Sequence, residues 1–159
     1  MNEQKFIVDA MLGNIARKLR FFGYDTKYFP NIDDREIIIL AKHEGRTILT
    51  RDRDLSSKAT KEKIQSTVLE SVVEVEQLIQ IAKHYSIKKF AIDFDKIRCS
   101  LCNEKIASIK REDILKKIPI GVIDHSEFWI CKKCDKIYWK GTHIEKLVQY
   151  TKMLNEKMQ

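Results

Sequence analysis

Proline and glycine are scarce in this chain, at two and five of 159 residues. That excludes a collagen-like repeat and a Pro/Gly-rich low-complexity segment. Long apolar runs are missing too. The longest, Ile37 to Ala41, has five residues, against the roughly 18 that a membrane span needs. The opening MNEQKF runs straight into an apolar strand without a secretory h-region, so no membrane and a cytoplasmic location are expected. Cysteine is absent before position 99. What is present in quantity is charge: 33% of residues are charged and 43% hydrophobic, enough of the latter for a buried core.

The charge is unevenly placed. Thirty Lys and Arg face 23 Asp and Glu, a net +7 that favours polyanionic partners. Residues 1–95 carry 16 basic and 15 acidic side chains, whereas residues 96–159 carry 14 and 8. All four cysteines lie in the basic part, as Cys99-Ser-Leu-Cys102 and Cys131-Lys-Lys-Cys134. Two CxxC turns 28 residues apart suit one tetrahedral zinc ion, each turn presenting two thiolates. Asn103 and Asp135, which follow the pairs, tolerate the left-handed backbone that such turns need. Two disulfides or a redox CxxC are the other readings; a reducing compartment opposes the first and the twin motif the second.

Strand and helix signals alternate through the first part. Lys5–Val8 reads as a strand ending at Asp9, and Met11, Leu12, Ile15, Leu19 and Phe22 recur at helical spacing before Gly23. Asp25–Phe29 is a second strand. Asp33-Asp34-Arg35-Glu36 has capping-box spacing ahead of a helix over Ile37–His43. Arg46–Thr50 and Ser66–Leu69 are further strands, and Val75–Tyr85 is an amphipathic helix. This order predicts an α/β fold with a parallel sheet covered on both faces over residues 1–95. Residues 96–159 are predicted to form a zinc ribbon, with strands at Phe128–Ile130 and Ile137–Trp139. A terminal helix then opens on a Thr142/Glu145 capping box and buries Ile144, Leu147, Val148, Thr151 and Leu154.

Four aspartates fall at strand ends. Asp9 follows the first strand, Asp34 opens the helix after the second, and Asp52 and Asp54 follow the third. In a parallel α/β sheet, ligands bind outside the carboxyl ends of the strands, so these side chains can converge there. A carboxylate cluster of this kind suits Mg²⁺ or Mn²⁺ and the hydrolysis of a phosphodiester. Helix capping explains many of the same positions. Asp9, Asp33, Asp34 and Asp54 each sit where a cap is useful, and Asp52 is the hardest to read that way because Asp54 is better placed. Arg17, Arg20, Arg51 and Arg53 lie beside the same edge, to contact phosphates or to offset the acids. Trp129, Tyr138 and Trp139 are candidates for stacking on bases or for the ribbon's own core.

These pieces, in this order, resemble the Mut-seven C-terminal RNase domain family over Phe6 to about Leu147. The resemblance rests on Val8-Asp9-Ala10-Met11-Leu12-Gly13, Ala16-Arg17, Gly23-Tyr24-Asp25-Thr26, Asp34 before Glu36-Ile37, and Thr50-Arg51-Asp52-Arg53-Asp54-Leu55. It continues in the two CxxC pairs, Glu127-Phe128-Trp129, and Tyr138-Trp139-Lys140-Gly141-Thr142-His143. Lys18 and Ile144 depart from it, standing where aromatic residues are common. The resemblance implies a PIN-like sheet fused to a ribbon, with structural Zn²⁺ on Cys99, Cys102, Cys131 and Cys134. It also implies catalytic Mg²⁺ or Mn²⁺ on Asp9, Asp34, Asp52 and Asp54, cleaving RNA to leave 3′-hydroxyl and 5′-phosphate ends. Arg17, Arg20, Arg51, Arg53, Lys132, Lys133 and Lys140 are then candidates for the RNA backbone. Two rivals keep the fold: an adaptor that binds RNA or the ribosome without cleaving, and a toxin-like nuclease restrained by a partner.

Overall fold

A computed structural model describes residues 4–159. Strand β1 (Lys5–Val8) leads through a single 3₁₀ turn (Ala10–Leu12) into helix α1 (Gly13–Phe21) and strand β2 (Asp25–Tyr28). Helix α2 (Asp34–Glu44), strand β3 (Thr47–Thr50), helix α3 (Arg53–Lys61), strand β4 (Ser66–Val68) and helix α4 (Glu74–His84) follow. The four strands pair in parallel in the order β2-β1-β3-β4. Successive residues of a strand face opposite sides. Phe6 and Val8 accordingly join a core with Ile15, Ala16 and Leu19 of α1 and Leu78, Ile81 and Ala82 of α4. Ile7 and Ile48 face the other way, onto Ile37 and Ala41 of α2 and Leu55 and Ala59 of α3. The result is three layers, with each fully buried large side chain contributing roughly 1.5–3 kcal/mol.

The helix ends follow local chemistry. Asp33 caps α2 through the N–H of Glu36 at 2.8 Å while Glu36 reaches back to the Asp33 N–H, so the expected capping box is present. Gly23, at φ +90°, turns the chain from α1 into β2 where an L side chain would be strained. Two expectations fail. Met11 lies in the 3₁₀ turn and is 73% exposed, because the helix proper starts two residues later. The Thr142/Glu145 box does not form, since Thr142 is already helical and Gly141 is the cap residue without a side-chain bond.

The C-terminal part is an antiparallel ribbon of β5 (Ala107–Ile109), β6 (Phe128–Ile130) and β7 (Ile137–Trp139). Strand β5 lacks a clear alternation of apolar residues and was not anticipated. Helix α5 (Thr142–Lys157) joins both parts. Its first turns put Ile144 and Leu147 into the ribbon core, and Leu154 enters the sheet core. Val148, expected on the buried face, is 48% exposed. Asn155 completes the seam, accepting from the N–H of Phe90 and donating to its carbonyl, both at 2.9 Å. No helix among the described residues is long and apolar enough to cross a membrane.

Candidate active site and metal centre

Strands β1 and β3 are neighbours in the sheet, but the chain leaves β1 toward β2 on one side and returns to β3 on the other. The crevice beyond their carboxyl ends is therefore the topological switch point, where open α/β sheets bind ligands. Asp9 stands there, 7% exposed. One carboxylate oxygen accepts from the Met11 N–H at 2.9 Å; the other accepts from the Thr50 hydroxyl at 2.5 Å and the Arg51 N–H at 3.2 Å. The Thr50 oxygen in turn accepts from the Asp52 N–H at 2.9 Å. Thr50 is fully buried and ties the ends of the two central strands together. Nothing but a polar β-branched residue closing a buried strand could have signalled it.

The other aspartates sit further out. Asp52 is the N-cap of α3, accepting from the N–H groups of Asp54 (2.7 Å) and Leu55 (3.4 Å). This corrects the reading that made Asp54 the better cap. Asp54 is instead a first-turn residue with an exposed carboxylate, favourable beside the helix's N-terminal dipole. Asp34 is paired with Lys58 of α3 at 2.8 Å. That contact raises the lysine's pKa, with smaller contributions from Asp52 and Asp54 nearby. The sequence gave no reason to single out Lys58. The four aspartates do not form a closed cage: among the described residues, the four thiols are the one group of three or more metal-type side chains whose ligand atoms meet.

Those thiols come together from the two CxxC turns, with all four Sγ atoms within 4.8 Å of one another. The Sγ atoms of Cys99 and Cys134 are 3.5 Å apart, and those of Cys102 and Cys131 are 3.3 Å apart. A tetrahedral ion with Zn–S bonds of about 2.3 Å asks for about 3.8 Å between sulfurs, so the quartet fits a single zinc ion with small adjustment. The two turns are copies of one another. In each, the first cysteine's carbonyl accepts from the residue four positions on, and that residue is left-handed: Asn103 at φ 69° and Asp135 at φ 60°. Burial pushes the Cys99 thiol up, but the Tyr138 hydroxyl and the backbone N–H groups of Cys102 and Leu101 outweigh it and bring its pKa to about 7. Burial and the neighbouring sulfurs push Cys102 up to about 12. One sulfur is thus ready to ionise while its neighbour resists, which a shared cation resolves.

The candidate RNA contacts divide sharply. Arg20 is buried, its Nε donating to the Thr26 carbonyl (2.8 Å) and its Nη1 to the Ser100 carbonyl (2.9 Å), so it joins the two parts of the chain and is not free for a phosphate. Arg53 is exposed and paired with Glu70 at 2.7 Å. Lys140 is paired with Glu127 at 2.8 Å and lies over the Trp129 ring. The Arg51 Nε is buried without a partner among the described residues, and it is the Arg51 backbone N–H that meets Asp9. Arg17, Lys132 and Lys133 are exposed. Trp129 and Tyr138 are buried, the first against Phe94 at 4.0 Å between ring centres.

No curated protein and no solved structure matches the chain. A family model does: the Mut7-C RNAse domain aligns with residues 4–151, from the first strand through the sheet, both cysteine turns and most of α5. The match takes in Asp9, Thr50 and all four thiols, and gives the chain a nuclease-like or RNA-related role. The chain belongs to the Mut7-C RNAse domain family.

Proposed function

We propose that this protein is a ribonuclease that hydrolyses RNA phosphodiester bonds at the carboxyl edge of the parallel sheet. The observation that carries this reading is the buried Asp9 at the β1/β3 switch point, clamped by Thr50, with Asp52 and Asp54 on the next turn. The donors there are carboxylate oxygens, the kind that Mg²⁺ and Mn²⁺ take, and Mg²⁺ commonly binds one or two of them and keeps several waters. Asp9, Asp52 and Asp54 would hold such an ion, with Asp34 joining once Lys58 lets go. A bound ion supplies polarisation of the phosphate and a nucleophilic hydroxide at neutral pH.

The protein's own groups do the rest. Thr50 and the Met11 and Arg51 N–H groups fix the Asp9 carboxylate in one orientation. Arg51, and Arg53 once it leaves Glu70, would offset the charge of the scissile phosphate. The thiolate quartet would hold structural zinc and so keep the basic ribbon folded, and Lys132 and Lys133 on its outer turn attract the RNA backbone in a salt-dependent way. The working place is the cytoplasm, with tRNA, rRNA or mRNA as substrate class.

The test is cleavage of labelled structured RNA by metal-stripped, zinc-loaded protein after adding back Mn²⁺ or Mg²⁺, against Asp9→Asn/Asp52→Asn. Asp52→Asn keeps its cap, because one oxygen takes both N–H groups, whereas Asp9→Asn keeps one of its two acceptor oxygens, so the fold of the double variant is checked by circular dichroism. Cleavage by wild type alone, and with metal alone, supports the reading; RNA binding without cleavage by both proteins overturns it. That second outcome would favour an adaptor that binds RNA or the ribosome, for which the openness of the acidic edge and the Asp34–Lys58 pair speak.

A further inference from the structure

We propose that the groove between α1 and the ribbon binds single-stranded RNA, with an unpaired base against Trp139 and the flanking phosphates on Arg17 and Lys136. The groove measures about 760 Å³ and is lined by Asn14, Arg17 and Phe21 on one wall and by Lys136, Trp139 and His143 on the other. That is within the roughly 300–1,000 Å³ of small-ligand pockets. The proposal rests on the RNA-binding half of the reading above and is independent of cleavage.

Charge selects the occupant. Arg17, Lys18, Lys136 and His143 line the groove, and no aspartate or glutamate does, in a chain that has 23 of them. The neighbouring depression across α5 is the reverse, gathering Asp93, Asp95, Glu127 and Glu145 around Lys140. Arg17 is exposed and has no ion pair among the described residues, so its guanidinium is free for a phosphate. Lys136 gives one hydrogen bond to the Ser100 hydroxyl at 3.0 Å and keeps its other donors. Lys18 is occupied by Glu74 at 3.2 Å and is left out of the anion site.

The aromatic wall selects a base. Trp129 is buried under Phe94, and the Tyr138 hydroxyl is engaged by Ser100 and Cys99; Trp139, half-buried and packed on one side against Ile114, Ile118 and Phe128, is the ribbon aromatic that lines the groove with area to spare. Gly141 leaves room for the indole edge at the groove: a Cβ there would come within 2.7 Å of the indole Nε1. A rigid aromatic face is a sequence-tolerant stacking platform, and it needs a base that is not already stacked in a duplex. The groove also runs along α1 from the end that follows Asp9. Arg17 is four residues into that helix, about 6 Å along its axis. A strand held in the groove is therefore led to the acidic edge.

The experiment is fluorescence anisotropy with a labelled unstructured oligoribonucleotide and with its duplex, using zinc-loaded protein without added Mg²⁺ or Mn²⁺ so that cleavage plays no part. Single strand is expected to bind at least tenfold tighter than duplex. Arg17→Glu and Trp139→Ala should each weaken it about tenfold. Arg17→Ala should lower the slope of log affinity against log salt by about one. Photocrosslinks from bromouridine should fall within residues 136–143. Equal affinity for duplex, unchanged binding by both Arg17→Glu and Trp139→Ala, or crosslinks confined to residues 110–117 and 132–133 would each overturn the proposal. If Trp139→Ala loses zinc or its circular-dichroism spectrum, the exposed Arg17→Glu decides alone. Loss of cleavage with this binding pattern intact would count against the nuclease and for the groove.

Discussion

The cysteine quartet and the acidic edge each draw four ionisable side chains from distant stretches of chain, on opposite plans. The thiols come from two copies of one turn, and each turn's backbone holds its sulfurs within reach of a common centre. The carboxylates come from three unlike places, the end of β1 and the starts of α2 and α3, and three of them have a second duty: Asp9 and Asp52 cap backbone N–H groups, and Asp34 pairs with Lys58. The first arrangement is closed and suits an ion that holds a fold together. The second is open and suits one that arrives with its waters and a substrate. If the first is a structural site and the second a working one, as proposed, the two differ less in ligand count than in how many other tasks the ligands carry.

The sharpest break is to deny the quartet a metal ion. Structural zinc sites contribute about 10–16 kcal/mol in small modules, so chelation or Cys131→Ser should melt the ribbon. Thermal unfolding is expected to fall by well over 10 °C with loss of one equivalent of zinc, while adding or withholding Mg²⁺ should move it by no more than a degree or two. Next comes the acidic edge. Asp9→Asn should cut metal-dependent RNA cleavage at least about 100-fold, the upper end of what even groups behind a metal's ligands supply, and lower the melting temperature less than Asp9→Ala does, because the amide keeps one of the two acceptor oxygens. Asp9→Ala should lose activity equally and also cost about 1–3 kcal/mol in a denaturant titration, because Met11, Thr50 and Arg51 lose their acceptor.

A smaller effect separates the two cysteine turns. Asn103→Ala should cost about 1–2 kcal/mol in the same titration, since it strands the Thr26 N–H and removes a partner of Asp25, whereas Asp135→Asn on the exposed turn should be close to silent. The same junction sets a pH dependence. Burial opposes ionisation of Asp25, but hydrogen bonds from Arg46 and Asn103 prevail and hold its carboxyl below the ordinary 3.8; Lys27 and Arg46 do the same to Glu44, below 4.5. Both are depressed carboxylates, so their stabilisation is complete above those ordinary values and is lost as pH falls through the lower folded ones. Melting temperatures should therefore drop below about pH 4, and Asp25→Asn should flatten that limb. The mildest change is Lys58→Met, which should leave stability alone and tighten Mn²⁺ binding severalfold, read by electron paramagnetic resonance.

Much of this architecture was legible in the chain because it is local. Alternating apolar runs placed the four parallel strands, Asp33 and Glu36 announced a helix start, and the CxxC spacing announced a thiolate site. Where reading failed, a contact from elsewhere decided. Asp52 took the cap from Asp54 because Thr50 holds its N–H at the end of β3. Arg20 looked like a phosphate ligand until the Ser100 carbonyl, 80 residues away, claimed it. Thr50 and Lys58 were silent because their roles exist only once β1 meets β3 and α2 meets α3.

The docked cysteine turn has one more consequence. Strand β2 is an edge of the sheet, and a bare edge offers unpaired N–H groups to any other chain. Here the Asn103 side chain covers the N–H of Thr26 and the Arg20 side chain occupies its carbonyl, so the ribbon stands where a fifth strand would add. Metal in the quartet would thereby guard against self-association: a demetallated sample should grow in size with time by light scattering, through an edge that itself carries no sulfur.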